Sequence, residues 1–220
     1  MARARTLPPL HAVTDARVLA RADFLERARA LLAAGGPRLA LHVRGPGLPA
    51  RRLLALADAL RPEAEAHGAW LLVHDRLDVA QAVEADGVQL PQTGLPAAVA
   101  RRLLGPHRII GVSVHSRAEA DASLPEADFW FVGPIYATAS HPGHPGAGPA
   151  LLAAMPPVRP RVAIGGVTPE RVAELRRAGA VGVAVLRGLW DAPEPALAAT
   201  VYLARWSDAD GDNDSGAPQR

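Results

Sequence analysis

Two side chains are missing from this sequence altogether, cysteine and lysine, since all 24 cationic residues are arginine. Without cysteine there is no disulfide, no thiolate nucleophile and no cysteine-held metal. Without lysine there is no Schiff base, no pyridoxal linkage and no P-loop lysine. Lysine-dependent aldolase chemistry, which barrels of this length can carry, is therefore excluded. Aromatic residues are scarce at 4%, so the core must come mainly from Ala, Leu and Val within an apolar share of 49%. Small aliphatic side chains suit helices packed closely on parallel strands. No apolar run approaches the ~20 residues of a membrane-spanning helix. Residues 1–9 contain arginine but no apolar stretch of a secretory signal. A cytoplasmic protein is expected, with no membrane partner.

The charge balance is nearly neutral, at +2 formally. The basic pI of about 9.9 reflects the very high pKa of arginine rather than a basic face, because arginine is interspersed with Asp and Glu along the chain. Nucleic acid is not an expected partner. The composition leaves a monomer and a homo-oligomer both open.

What is present is a regular alternation. Short apolar runs at 10–15, 39–44, 70–74, 87–90, 108–114, 128–132, 162–164 and 182–186 read as strands. Ala/Leu-rich segments at about 21–34, 48–67, 77–84, 96–104, 117–123, 150–155, 169–178 and 195–206 read as helices. Strict alternation predicts parallel strands, and eight such units in one domain predict a closed (β/α)8 TIM barrel. The alternative is a doubly wound open sheet, which usually has a glycine-rich first turn; Thr14-Asp15-Ala16-Arg17 contains no glycine. The expected division is an N-terminal extension over 1–9, the barrel over 10–206, and a disordered acidic tail over 207–220. That tail holds four Asp and no aliphatic side chain larger than alanine.

Barrel chemistry sits at the C-terminal ends of the strands. After the seventh candidate strand comes Gly165-Gly166-Val167-Thr168-Pro169, followed after the eighth by Leu186-Arg187-Gly188. The glycines let backbone N–H groups approach an anion, Thr168 is placed to cap the next helix, and Pro169 suits its first position. This is the expected phosphate site; a plain tight turn is the bland alternative. The sixth strand leads into a Gly/Pro/His-rich loop at 133–149, with Thr138 and Ser140 as hydroxyl donors and His141 and His144 further on. A loop of this kind at the catalytic face can act as a lid. Arg44 ends the second strand and is a candidate diphosphate or carboxylate clamp. His74-Asp75 ends the third, where Asp75 could ligate Mg2+ or cap the next helix. Ser113 and His115 end the fifth, and a lone His is more often structural than catalytic.

In this order the strand-end motifs resemble the thiamine phosphate synthase/TenI superfamily over about 10–190. The matching pieces include Val13-Thr14-Asp15, His42-Val43-Arg44, His74-Asp75-Arg76-Leu77-Asp78, Asp86-Gly87-Val88-Gln89-Leu90, Gly111-Val112-Ser113-Val114-His115, Gly133-Pro134-Ile135-Tyr136-Ala137-Thr138, Ala163-Ile164-Gly165-Gly166-Val167 and Gly182-Val183-Ala184-Val185. The resemblance implies thiamine biosynthesis. The family's synthase joins a pyrimidine diphosphate to a thiazole phosphate carboxylate, using Mg2+ and expelling pyrophosphate. It also implies Arg44 as diphosphate clamp, Asp75 as Mg2+ ligand, Ser113 beside the diphosphate and Thr138 at the thiazole carboxylate. Gly166, with the backbone of Leu186 and Arg187, is implied to hold the thiazole phosphate.

The chain departs from the family pattern at charged positions. Pro46 stands where a lysine is usual, and His74 where Asn is usual. Pro91-Gln92-Thr93-Gly94 replaces Gly-Gln-Glu-Asp, and His141 replaces the loop lysine. The losses fall on the diphosphate half and leave the thiazole phosphate half intact. TenI-like proteins, which isomerise the thiazole carboxylate by proton transfer, show that split. The expectation is a TenI-like thiazole tautomerase, needing no cofactor, with His74 or His141 as base, because the tautomerase base position is Pro134 here. The alternatives are a divergent Mg2+-dependent synthase and a non-catalytic binder of thiamine-related phosphates.

Overall fold

A computed structural model describes residues 6–140 and 143–214, the side chains of 209–214 excepted. Eight strands pair in parallel and in sequence order, and β8 returns to β1 to close the barrel. They are β1 (Leu10–Val13), β2 (Leu39–Val43), β3 (Trp70–His74), β4 (Gly87–Leu90), β5 (Ile109–Val114), β6 (Phe129–Val132), β7 (Arg161–Ile164) and β8 (Gly182–Val185). Around them run α1 (Ala16–Leu19), α2 (Phe24–Gly35), α3 (Ala50–Ala66), α4 (Leu77–Ala82), α5 (Ala97–Leu104), α6 (Arg117–Ala122), α7 (Ala150–Ala154), α8 (Val172–Arg177), α9 (Arg187–Trp190) and α10 (Pro195–Asp214). This is the (β/α)8 TIM barrel expected from the alternation.

The strands are buried on both faces, which is why they read as unbroken apolar runs. Alternate residues serve two cores. Leu71, Val73, Trp130 and Val132 face the helices and belong to the large outer core. Leu72, Phe129, Phe131, Val162 and Ala184 fill the barrel interior. His11, His42 and Gln89 are also wholly buried. His11 Nδ1 lies 2.8 Å from His42 Nε2, and Phe131 packs on both rings at centroid distances of 5.3 and 4.9 Å. The base of the barrel uses part of the expected N-terminal extension: Pro9 O accepts from Val183 N at 2.8 Å, and Leu7 packs against the interior cluster.

Several boundaries differ from the sequence expectation. The first strand stops at Val13, because Asp15 accepts a hydrogen bond from Val18 N at 2.7 Å and caps the unexpected one-turn helix α1. A second short helix, α9, follows β8 directly. Thr168 holds the N-cap position of a 3-10 turn, yet its hydroxyl makes no capping bond. Asp75 does not cap α4, whose N-cap is Arg76.

The last helix does not stop at 206. It continues to Asp214, eight residues into the segment expected to be a tail, and 215–220 lie outside the described residues. The cause is anchoring. Arg38 Nη2 donates to Leu203 O and Ser207 Oγ at 3.0 and 2.8 Å, and the Arg176 guanidinium donates to Trp206 O at 2.5 Å. No helix among the described residues is long and apolar enough to cross a membrane.

Candidate active site

The C-terminal ends of the strands surround a cavity of about 1030 Å³. Arg44, His74, Thr138, Ser140, Gly165, Gly166, Leu186 and Arg187, eight of the residues picked out from the sequence, line it together. Asp75 and Ser113 lie beside it without lining it, and His141 lies outside the described residues.

On the β7–β8 side the wall is made of backbone. Gly165 and Gly166 both have left-handed conformations, with φ of 97° and 63°. A Cβ on Gly166 would stand 2.6 Å from Ala137 O, and one on Gly165 would stand 2.7 Å from Pro134 Cα. Two glycines are needed here for space as well as for φ. The β6 loop is thereby pulled onto the β7 turn: Ile135 N donates to Ile164 O at 2.8 Å and Tyr136 N to Gly165 O at 3.1 Å. Arg171 locks this contact from behind. Its guanidinium donates to Gly166 O at 2.5 Å and lies 4.0 Å over the Tyr136 ring, a cation–π arrangement. The Tyr136 hydroxyl donates to Glu174 at 2.6 Å, and burial with that carboxylate pushes its pKa up to about 12. Leu186, Arg187 and Gly188, at the start of α9, line the same wall. Arg187 Nη2 donates to Thr138 Oγ1 at 3.1 Å. Glycine backbone, a helix start and a guanidinium are groups of the kind that favour an anion.

The β1–β3 side is held by side chains. Arg44 N donates to Thr14 Oγ1 at 2.7 Å, and the Thr14 hydroxyl lies 2.9 Å from Arg44 O. Burial lowers the Arg44 pKa and Asp15 opposes that shift; as an arginine it stays cationic. His74 is held at a pKa of about 3, first by burial and then by the Arg44 charge. It is a neutral imidazole at physiological pH and a weak base. Asp75 has a left-handed backbone, φ 61°, and its carboxylate is exposed. A Cβ on Gly94 would stand 2.9 Å from Asp75 Oδ1, so the β4–α5 loop passes directly against this carboxylate. Ser113 sits within β5 and accepts from Gln89 Nε2 at 3.1 Å.

Sequence reasoning gave no separate role to Asp15 or Arg171, and both line the cavity. Asp15 was visible only as the end of a strand motif. Arg171 had no signal, because its role depends on a turn that brings it back over Tyr136. Among the described residues no group of three or more His, Asp or Glu side chains could hold a metal.

Residues 10–189 match the family model described as thiamine monophosphate synthase. The chain is 44% identical to the thiamine-phosphate synthase of Moorella thermoacetica, covering 80% of this chain and 84% of that one. It is 39% identical to the thiamine-phosphate synthase of Roseiflexus castenholzii, covering 86% and 84%. Among solved structures, thiamine phosphate pyrophosphorylase from Pyrococcus furiosus superposes with a TM-score of 0.77 at 29% identity, covering 91% of this chain and 96% of that one.

Proposed function

This chain belongs to the thiamine monophosphate synthase family of enzymes, and from that premise we propose that it is a thiamine phosphate synthase. It would join hydroxymethylpyrimidine diphosphate to thiazole phosphate and release pyrophosphate. The observation that carries this is the pairing of two guanidinium groups, Arg44 and Arg187, in the wall of one cavity, in a chain whose relatives bear the synthase name along most of their length.

In the proposed reaction the bond from the pyrimidine methylene carbon to the diphosphate oxygen breaks, and its electron pair leaves with the diphosphate. The thiazole nitrogen lone pair then forms the new carbon–nitrogen bond. Arg44 stabilises the departing negative charge in a partly dry site, where fixed charge acts strongly. Ser113 donates to the same diphosphate. Gly165, Gly166 and the backbone of Leu186 and Arg187 hold the thiazole phosphate. Thr138 and Ser140 contact its carboxylate. His74 forms the neutral floor beside Arg44.

The family implies Mg2+. The donor set fits an ion that arrives with the diphosphate, since Mg2+ keeps several waters and takes one or two carboxylates plus substrate oxygens. Asp75, beside the cavity, is the carboxylate that the family resemblance points to; Asp15 also faces the cavity next to Arg44, and Gly94 beside Asp75 offers none. When bound, Mg2+ would supply positive charge to the leaving diphosphate.

Tautomerisation, the first expectation from sequence, requires a base. Proline at 134 has no proton to exchange, and a His74 of pKa about 3 is poorly matched to proton abstraction near neutral pH. Both points favour the synthase; His141, the other base expected from sequence, lies outside the described residues. The deciding experiment mixes the protein with hydroxymethylpyrimidine diphosphate, thiazole phosphate carboxylate and Mg2+, and follows thiamine phosphate over time. Steady Mg2+-dependent product is expected. Absence of product, with interconversion of the thiazole tautomers, would make the protein a tautomerase instead.

A further inference from the structure

His115 lines the cavity, and nothing above gives it work. Its ring is fixed at Nδ1, which contacts Gly133 O. A carbonyl can only accept, so Nδ1 carries the proton. In the neutral ring, Nε2 is then a lone pair with no proton, and it is the nitrogen left for a ligand. The backbone is held as well: His115 N donates to Glu119 Oε2 at 2.7 Å, and Glu119 N is tied to Ser116 Oγ at 3.3 Å at the start of α6. Ring and main chain are thus set by two separate contacts, so an acceptor is preorganised.

Other acceptors line this wall but are already engaged: Asp15 Oδ1 accepts from Val18 N at 2.7 Å, Glu170 is bonded by Thr168, and the neutral His74 stands against the Arg44 charge. Arg44, Arg187, Thr138 and Ser140 can all donate, which suits phosphate and carboxylate oxygens. A neutral Nε2 has nothing to offer those groups. It suits an N–H. His115 follows β5 and touches the end of β6, next to Ser113 and across from the thiazole phosphate site proposed on β7 and β8.

Resting on the synthase function proposed above, we propose that His115 Nε2 accepts a hydrogen bond from the amino group of the pyrimidine substrate and so selects an amino-bearing ring over one that lacks it. His115 is a specificity residue for one of the two substrates and takes no part in bond breaking.

The test compares wild type with His115→Ala and His115→Phe by titration calorimetry, with hydroxymethylpyrimidine diphosphate, its analogue in which hydrogen replaces the amino group, and thiazole phosphate as probes. Losing one neutral hydrogen bond should weaken the aminopyrimidine by about tenfold in both variants. Thiazole phosphate should bind within about twofold of wild type, and the analogue should no longer distinguish wild type from variant. Equal weakening of both substrates, or none, overturns the inference. His115 is exposed, and circular dichroism melting confirms that the variants fold. Turnover by wild type is read separately. If wild type binds the aminopyrimidine but makes no product, the synthase function fails while the His115 comparison still stands. If it does not bind that ligand, both fail.

Discussion

The Arg187 guanidinium donates to the Thr138 hydroxyl across 3.1 Å, joining residues 49 positions apart in the chain. Arg187 opens α9 after β8, and Thr138 stands in the loop after β6. The β7 turn with Gly165 and Gly166 lies between them in the barrel order. The bond therefore reaches across the glycine turn, a stretch of wall that Thr168 and Arg171 also line.

Removing Arg187 should cost binding rather than folding. A charge-assisted hydrogen bond contributes about 1.5–3 kcal/mol, so Arg187→Ala should weaken thiazole phosphate by roughly 10- to 150-fold. Titration calorimetry with thiazole phosphate reads this directly. An unchanged dissociation constant would place the phosphate elsewhere.

Gly166→Ala should be structurally severe. It combines a left-handed φ, costing about 1–2 kcal/mol for a residue with a Cβ, with an approach of 2.6 Å to a backbone carbonyl oxygen. Gly47→Ala supplies the control, because φ there is 77° but nothing lies within 4 Å of the added atom. Differential scanning calorimetry should show a Tm loss for Gly166→Ala well beyond that of Gly47→Ala. Equal losses would mean that the contact with the β6 loop does not constrain this glycine.

Asp75 allows charge to be separated from backbone. Its φ is 61°, a region that Asn tolerates far better than Ala. Asp75→Asn should keep Tm close to wild type yet lower Mg2+-dependent synthesis by at least about tenfold, the scale of one lost charge-assisted contact. Asp75→Ala should lose the same activity and also about 1 kcal/mol of stability. Full turnover in Asp75→Asn would remove this carboxylate from the proposed metal site.

The buried His11–His42 pair sets a pH dependence of stability. Burial holds His11 at a pKa of about 3, and burial with the neighbouring rings holds His42 well below its ordinary value. Both rings are neutral when folded, whereas in the unfolded chain they take up protons near pH 6.5. Stability is therefore complete above that pH and falls as pH drops toward 3, by up to about 1.4 kcal/mol per pH unit for each proton bound only by the unfolded chain. Urea unfolding at pH 7.5, 6.0 and 5.0 should show this loss. In His11→Leu/His42→Leu the loss over that window should shrink, and a variant that kept the wild-type slope would assign the dependence to other groups.

The sequence by itself determined the barrel and most of its active face. Eight doubly buried strands cannot be written except as eight short apolar runs, and helices on their outer face force the alternation. Pocket residues such as Arg44, Gly166 and Arg187 were legible for the same reason, because a barrel puts every strand end on one face. What tertiary structure alone decided were matters of contact between distant segments. That Asp75 meets Gly94 instead of capping α4 depends on how the β4–α5 loop packs. That Arg171 backs the glycine turn depends on the chain doubling back over Tyr136. The anchoring of the last helix at Leu203, Trp206 and Ser207 depends on Arg38 and Arg176 reaching across from other units. The low pKa of His74 depends on the burial that folding creates. None of these leaves a periodic trace in the sequence, since each joins residues whose spacing along the chain is set by the fold and not by a helix or strand repeat.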